Sequence, residues 1–267
     1  MLYLRSKKSE GNRLIDKIIE IAKEAGEIIR EGFGKNFSIE TKGSYTNLVT
    51  EYDKKSEATI INYIKKEFPS HSVLAEESGN HYSGSEYLWV IDPLDGTTNF
   101  AHGLPIFSVS IGVQKNGKTI YGVVYDVMRD SMYSAELGSG SFCNGRKLCV
   151  SSNSDIRQSV LVTGFPYNIS ENPDHAIEHF NSFLKYARAI RRLGSAAIDF
   201  CYTAEGVFDG FWEVSLNPWD MCAGKLLVEE AGGIVTNFNG EEIDIFSKQI
   251  LATNGKIHQQ MINILHL

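Results

Sequence analysis

Apolar and polar residues recur along this chain with two different periods. Over residues 12–33, Leu14, Ile18, Ile21, Ala25, Ile28 and Ile29 fall on one helical face, with Lys and Glu filling the other. Residues 52–68 repeat the pattern with Ala58, Ile61, Ile64 and Phe68. The spacing predicts two amphipathic helices whose stripes are core. Strand signals follow at 72–76 and 86–92. Residues 106–150 read as an antiparallel meander, its apolar runs divided by the turn pairs Asn116-Gly117 and Asn144-Gly145. Beyond Ser151 strand and helix alternate, with strands at 159–164, 188–192 and 210–214 and helices near 173–186 and 195–206. A helix over 218–231 is stopped by Gly232-Gly233, and strands IVTNF and QILATN precede a closing helix from about 256. This order predicts an α/β (α+β) fold of helix and sheet layers. A soft boundary is expected near 150, between an N-terminal α+β lobe (1–150) and a C-terminal α/β lobe (151–267). No Pro- or Ser-rich linker marks it, so the lobes should pack as one unit.

Composition narrows the class. The chain has 267 residues, 42% of them hydrophobic, which excludes a disordered chain. A net charge of −7 argues against nucleic acid or an anionic membrane as partner. Cys143, Cys149, Cys201 and Cys222 match no zinc spacing or secreted disulfide framework, so four thiols in a reducing compartment are expected. No segment approaches the ~18 uninterrupted apolar residues of a membrane span. The start, MLYLRSKKSEG, lacks a signal-peptide core, so the cytoplasm is the expected location.

The charge distribution points to chemistry. Between Lys66 and Lys115 lie 48 residues without Lys or Arg, where about five would be expected at an ordinary frequency. Glu67, Glu76, Glu77, Glu86, Asp92 and Asp95 fall inside this stretch. Glu67, Glu86 and Glu77 read as ordinary solvated acids. Glu76 ends the apolar run SVLA, and Asp92 ends EYLWVI, too apolar for an exposed strand; Pro93 is expected to force a turn there, with Asp95 just beyond. Carboxylates converging at strand ends without basic partners repel and are costly to desolvate, so a divalent cation is the natural counter-charge. Oxygen-only ligands favour Mg²⁺ or Mn²⁺ over Zn²⁺. The following Gly96, Thr97, Thr98 and Asn99 read as a loop entering a helix, whose backbone N–H groups and hydroxyls would cradle an anion. Metal carboxylates beside an anion cradle suit phosphoryl chemistry.

The Asp-x-x-Asp spacing departs from the Asp-x-Asp of haloacid-dehalogenase phosphatases. WVIDPLDGTTNF at 89–100 instead resembles the first signature of the inositol monophosphatase family, and PWDMCAGKLLVEEAGG at 218–233 its second. AEES at 75–78 is similar to the family's strand-end Glu-Glu, and LVTEYD at 48–53 to its upstream segment. The matches run in family order over nearly the whole chain.

The resemblance implies a layered αβαβα sugar-phosphatase fold and Mg²⁺-dependent hydrolysis of a small polyol phosphate, inositol monophosphate first, by metal-activated water. Fructose 1,6-bisphosphate, adenosine 3′,5′-bisphosphate, NADP or histidinol phosphate are the other family substrates, and a non-catalytic regulatory module is the reading from another class. By position, Glu76, Asp92 and the Leu94 carbonyl would hold one Mg²⁺, and Asp92, Asp95 and Asp220 a second, with two or three ions per site and Mn²⁺ as substitute. Thr97 and Glu76 would activate the water, and Gly96, Thr97 and Thr98 would face the phosphate. Gly194, Ser195, Ala196 and Glu213, together with Asp95 and Asp220, would meet the polyol. From its position alone, Asp220 reads as an ordinary first-turn acid. Arg191 and Arg192 read as surface charge. Asn47 stands where animal members carry the Asp that hydrogen-bonds the activating Thr, which would weaken activation here. Lithium sensitivity and a homodimer are further family expectations.

Overall fold

The structure, a computed structural model, describes residues 2–43 and 45–267. Helix α1 (Leu2–Gly32) leads into a small hairpin, β1 (Ile39–Thr41) and β2 (Leu48–Thr50), and then helix α2 (Glu51–Glu67). Strands β3 (Ser72–Ala75), β4 (Gly79–His81) and β5 (Tyr87–Asp95) run to the short helix α3 (Thr97–Ala101). The expected meander follows as β6 (Ser108–Lys115), β7 (Lys118–Asp126), β8 (Ser131–Glu136), β9 (Gly140–Cys143) and β10 (Arg146–Lys147). These strands form an eight-stranded sheet in the order β10-β9-β8-β7-β6-β5-β3-β4, antiparallel except where β3 runs parallel to β5.

The chain then changes sheet. It continues through β11 (Val160–Thr163), α4 (Ala176–Tyr186), β12 (Ala189–Arg191), α5 (Ala196–Ala204), β13 (Gly210–Val214) and α6 (Pro218–Glu230). Strands β14 (Ile234–Thr236) and β15 (Gln249–Thr253) and helix α7 (His258–Leu265) complete it. The five-stranded sheet has the order β12-β11-β13-β15-β14.

Side-chain alternation assembles these elements into five layers. Ile18, Ile21, Ala25 and Ile29 of α1 and Ile60 and Ile64 of α2 pack on Trp89, Ile91, Val109, Ile111 and Val123 of the large sheet. Its other face, through Val124, Tyr133 and Ala135, meets Phe200 and Cys201 of α5 and Met221, Ala223 and Leu227 of α6. The same cluster takes in Val162, Phe211 and Ala252 of the small sheet. The neighbouring residues Leu161, Trp212 and Leu251 point away to α4 and α7, against Phe183, Met261 and Ile264. The order helix, sheet, helix, sheet, helix is the predicted αβαβα architecture.

One position of the α2 stripe is corrected: Ala58 is exposed, whereas Ile61 and Ile64 are buried as expected, and Asp53, Ser56, Glu57 and Ile60 join them on the inward face. Its first turns are buried polar residues that hydrogen bonds hold rather than apolar contact.

Close approach fixes α6. Gly112 and Gly122 pair across β6 and β7. A Cβ on Gly122 would lie 2.7 Å from the Ala223 carbonyl oxygen, and one on Gly112 would lie 2.4 Å from Cys222 Sγ. The sheet admits the helix backbone only because these positions are bare. All four cysteines are free thiols. Among the described residues no helix is long and apolar enough to cross a membrane.

Candidate active site

The carboxylates converge through strand register. Because β3 and β5 are parallel and Ala75 pairs with Ile91, Glu76 leaves its strand beside Asp92. The expected turn at Pro93 is instead a bulge inside β5: Asp92 pairs with Ser110 and Asp95 with Ser108, three steps on one strand against two on the other. On a regular strand residues three apart face opposite ways; the extra residue puts both aspartates on one face. Pro93, with no N–H to donate to a ladder, is at home in such a bulge. The Ser110 hydroxyl donates to the Trp219 carbonyl at 3.3 Å, which ties the start of α6, and Asp220 with it, to the same strand.

Glu76, Asp92, Asp95 and Asp220 line a single cavity of about 1020 Å³, together with Leu94, Gly96, Thr97, Thr98, Gly194, Ser195, Ala196 and Glu213. All twelve residues proposed from sequence therefore meet at one place. Burial, then the charges of Glu76, Asp95 and Asp220, push the Asp92 carboxyl well above the usual carboxylate range. Burial also raises Asp220 well above it, with Asp95 and Glu76 adding to the effect. Asp95 is pushed up to about 6 by burial, tempered by donors at the start of α5: the Ser195 hydroxyl and the Ala196 and Ala197 amides at 3.2 and 2.8 Å. Ser195 thus turns its hydroxyl to Asp95 rather than into open space.

Asp220 serves locally as well as in the cavity. It accepts the Asn217 amide at 2.6 Å in a capping box, so the ordinary first-turn reading and the cavity position hold together. Gly96 caps α3 at φ 99°, and a Cβ there would lie 3.0 Å from the Ile106 carbonyl oxygen and 3.2 Å from that of Gly194. Glu213, on a strand buried throughout, lies against Gly164, where a Cβ would fall 2.2 Å from its Oε1. Burial and the charge of Asp220 raise it to about 8, although Arg192 pulls the other way.

Two expectations are corrected. The partner of Thr97 is Asp53, not Asn47: the Thr97 hydroxyl lies 2.9 Å from Asp53 Oδ1 and 3.1 Å from the Leu94 carbonyl oxygen. The acid lies six residues beyond Asn47 in the same LVTEYD segment, at the start of α2, so a carboxylate is present where a neutral amide was expected. Asn47 Oδ1 is buried without a hydrogen-bond partner. Nor is Glu77 a solvated acid. Lys42, from the β1–β2 hairpin, pairs with both Glu76 and Glu77, and the Glu77 amide donates to Glu57 at 2.8 Å. Burial raises Glu77 to about 7 against the pull of Lys42. Burial alone would lower Lys42, but Glu76 and Glu77 hold it above its ordinary value.

Sequence reading missed Lys42, Asp53, Tyr167 and Asp199. Tyr167 lines the same cavity, its hydroxyl made less acidic by burial and by Glu76, Asp220, Asp92 and Asp95. The signal that could have found Asp53 is its place three residues after Thr50, the reciprocal spacing of a capping box.

The donor set suits a hard cation. It offers carboxylate and carbonyl oxygens; Asp92 and Asp95 are buried and Asp220 half-buried, and the three repel one another. Among the described residues no three Asp, Glu, His or Cys side chains are drawn in around one point. The four acids stand around the cavity, each held by a donor of the chain: Lys42, the Leu94 amide, the start of α5 and the Asn217 amide.

A five-layered fold with an oxygen-lined cavity at its strand ends places the chain among the phosphatases. Residues 12–266 match the Inositol monophosphatase family, and the chain belongs to that family of metal-dependent phosphatases. An inositol-1-monophosphatase of Synechocystis is 43% identical over 248 residues, 91% of this chain and 86% of that protein. The Nus factor SuhB of Pasteurella multocida is 40% identical over 254 residues, 94% and 95% of the two chains. Among solved structures, the extragenic suppressor protein suhB of Bartonella henselae superposes with a TM-score of 0.90 at 37% identity, covering 95% of this chain and 98% of that one. An inositol monophosphate-bound SaIMPase-II superposes at 0.78 with 32% identity, covering 93% and 92%.

Proposed function

We propose that this protein hydrolyses the phosphate monoester of a small polyol, inositol monophosphate foremost, with Mg²⁺. The observation that carries the reading is the meeting of Glu76, Asp92, Asp95 and Asp220 with the Thr97–Asp53 pair in one cavity. Glu76, Asp92 and the Leu94 carbonyl would hold one ion and Asp92, Asp95 and Asp220 another, with Mn²⁺ as a substitute. Bound there, the ions supply Lewis acidity toward the phosphate and the attacking water. With its hydroxyl hydrogen directed to Asp53 or to the Leu94 carbonyl, Thr97 keeps an oxygen lone pair for that water. Glu76 orients the water from the end of the neighbouring parallel strand β3, and the Gly96, Thr97 and Thr98 backbone faces the phosphate. Glu213, with the Gly194–Ala196 wall, meets the leaving polyol. An inositol monophosphate-bound relative supports this choice of substrate. Lithium sensitivity, a homodimer and a cytoplasmic location accompany the reading.

Asp92→Asn and Asp95→Asn test it. Phosphate release from inositol monophosphate in Mg²⁺ should fall by at least ~10²-fold in either variant while the fold persists. Turnover that survives chelation of divalent cations overturns the reading. A panel with fructose 1,6-bisphosphate, NADP, adenosine 3′,5′-bisphosphate and histidinol phosphate ranks the substrates.

A further inference from the structure

Asp199 stands in the first turn of α5 and is 1% exposed, yet its Oδ1 has no hydrogen-bond partner. Buried polar atoms in native proteins are nearly always paired, because an unpaired acceptor keeps its desolvation cost with nothing to offset it. The rest of the helix gives no packing reason for an acid, since Ala197, Phe200 and Cys201 on either side are apolar core. The residue does border the active-site cavity, in company with Glu213 and Arg192. The Arg192 guanidinium folds over the Gly194 loop, its Nη1 lying 2.7 Å from where a Gly194 Cβ would stand. Burial first, then the charges of Glu213 and Asp95, push Asp199 well above the carboxylate range, with Arg192 opposing. Glu213 is raised in the same way. Two acids that favour their protonated forms, beside one guanidinium, can both donate to and accept from hydroxyl groups.

We propose that Asp199 is a second hydroxyl-binding acid of the cavity, acting beside Glu213 to select leaving groups that carry several hydroxyls. This rests on reading the chain as a polyol phosphatase. A substrate hydroxyl that reaches its unpartnered oxygen would pair it, so the residue acts on recognition rather than on the phosphoryl step. The feature is distinct from Glu213, which comes from strand β13 in a different layer from α5.

Asp199→Ala and Asp199→Asn, assayed in Mg²⁺ with inositol monophosphate and with p-nitrophenyl phosphate, test the assignment. The aryl ester offers no hydroxyl on its leaving group. The Ala variant should raise KM for inositol monophosphate about tenfold and lower the polyol-to-aryl ratio of kcat/KM by a similar factor. The Asn variant, which keeps an acceptor and a donor, should change that ratio by less than about threefold. Tm should not drop in the Ala variant, because an unpartnered buried atom is being removed. A ratio within twofold of wild type in the Ala variant overturns the assignment. So does a parallel loss on both substrates together with a lower Tm, which is what a purely structural role in α5 produces. Wild-type protein that cleaves the aryl ester but not the polyol ester overturns the substrate reading as well, which separates the two failures.

Discussion

Replacing Asp53 by Asn exchanges one carboxylate oxygen for an NH₂ group and isolates the Thr97 hydroxyl. The Asp53 carboxylate is fully buried and accepts three hydrogen bonds: the Thr50 amide at 2.8 Å and the Thr50 hydroxyl at 2.6 Å on Oδ2, and the Thr97 hydroxyl at 2.9 Å on Oδ1. An Asn side chain has one acceptor and one donor end. The Thr50 amide can only donate, so the Asn oxygen must stay on that side and its NH₂ must face Thr97. The Thr97 hydrogen then has the Leu94 carbonyl, at 3.1 Å, as its outlet, and the lone pair meant for the attacking water is taken by the new donor. Losing a positioned proton acceptor typically lowers a rate by 10²–10⁴-fold, so kcat should drop by roughly 10²-fold, or about 2.7 kcal/mol. KM should stay within about threefold, because Asp53 does not line the cavity. Stability should change little. Burial already raises Asp53 above its ordinary range, with Glu76 adding to this, so a neutral side chain relieves the desolvated charge while one cap bond weakens by ~1 kcal/mol. Steady-state phosphate release and calorimetry check both halves. If Asp53 and Thr97 act as a unit, Asp53→Asn combined with Thr97→Val should be no slower than the worse single variant. A kcat within twofold of wild type in a folded Asp53→Asn protein refutes the reasoning.

Two other outcomes follow from the same structure. Folded-state values near 6 for Asp95, 7 for Glu77 and 8 for Glu213, with Asp92 and Asp220 also raised, mean that between about pH 4 and 8 the native state binds more protons than the unfolded chain. The slope of stability with pH is then negative, so chelated protein should lose stability from pH 5 to 8, and added Mg²⁺ should raise Tm more at pH 8 than at pH 6. A Tm in chelator that is flat or rising over that range contradicts this. Gly122→Ala should destabilise the fold by an overpacking cost of about 1–3 kcal/mol and so lower Tm, since its Cβ would sit 2.7 Å from the Ala223 carbonyl oxygen. It should also lower kcat by shifting α6 and Asp220; an unchanged Tm removes the close contact as the device that seats the helix.

The layers were legible because burial decides them. Each strand of the meander and each helix of the second half left a period that water exclusion imposes, and Asp92 and Asp95 stood out by lacking basic neighbours in sequence. What the pattern misplaced lies where tertiary hydrogen bonds override hydrophobicity. The α2 face was read as Ala58, Ile61, Ile64 and Phe68; Ile61 and Ile64 are buried, but the helix also turns Asp53, Ser56 and Glu57 inward, where they hold Thr97, the Pro93 carbonyl and the Glu77 amide. A stripe of polar side chains has no hydropathy signature, and its partners are 20 to 44 residues away. Lys42 is outside the acid-rich stretch altogether and reaches it only because the β1–β2 hairpin folds back. The bulge in β5 is the sharpest case. A spacing of three residues places side chains on opposite faces of a regular strand, so Asp92 and Asp95 can share a cavity only if the ladder skips once. That skip needs a residue that tolerates the loss of a ladder bond, and Pro93 is such a residue. The feature that breaks the strand pattern therefore builds the site, as expected where local regularity gives way to function.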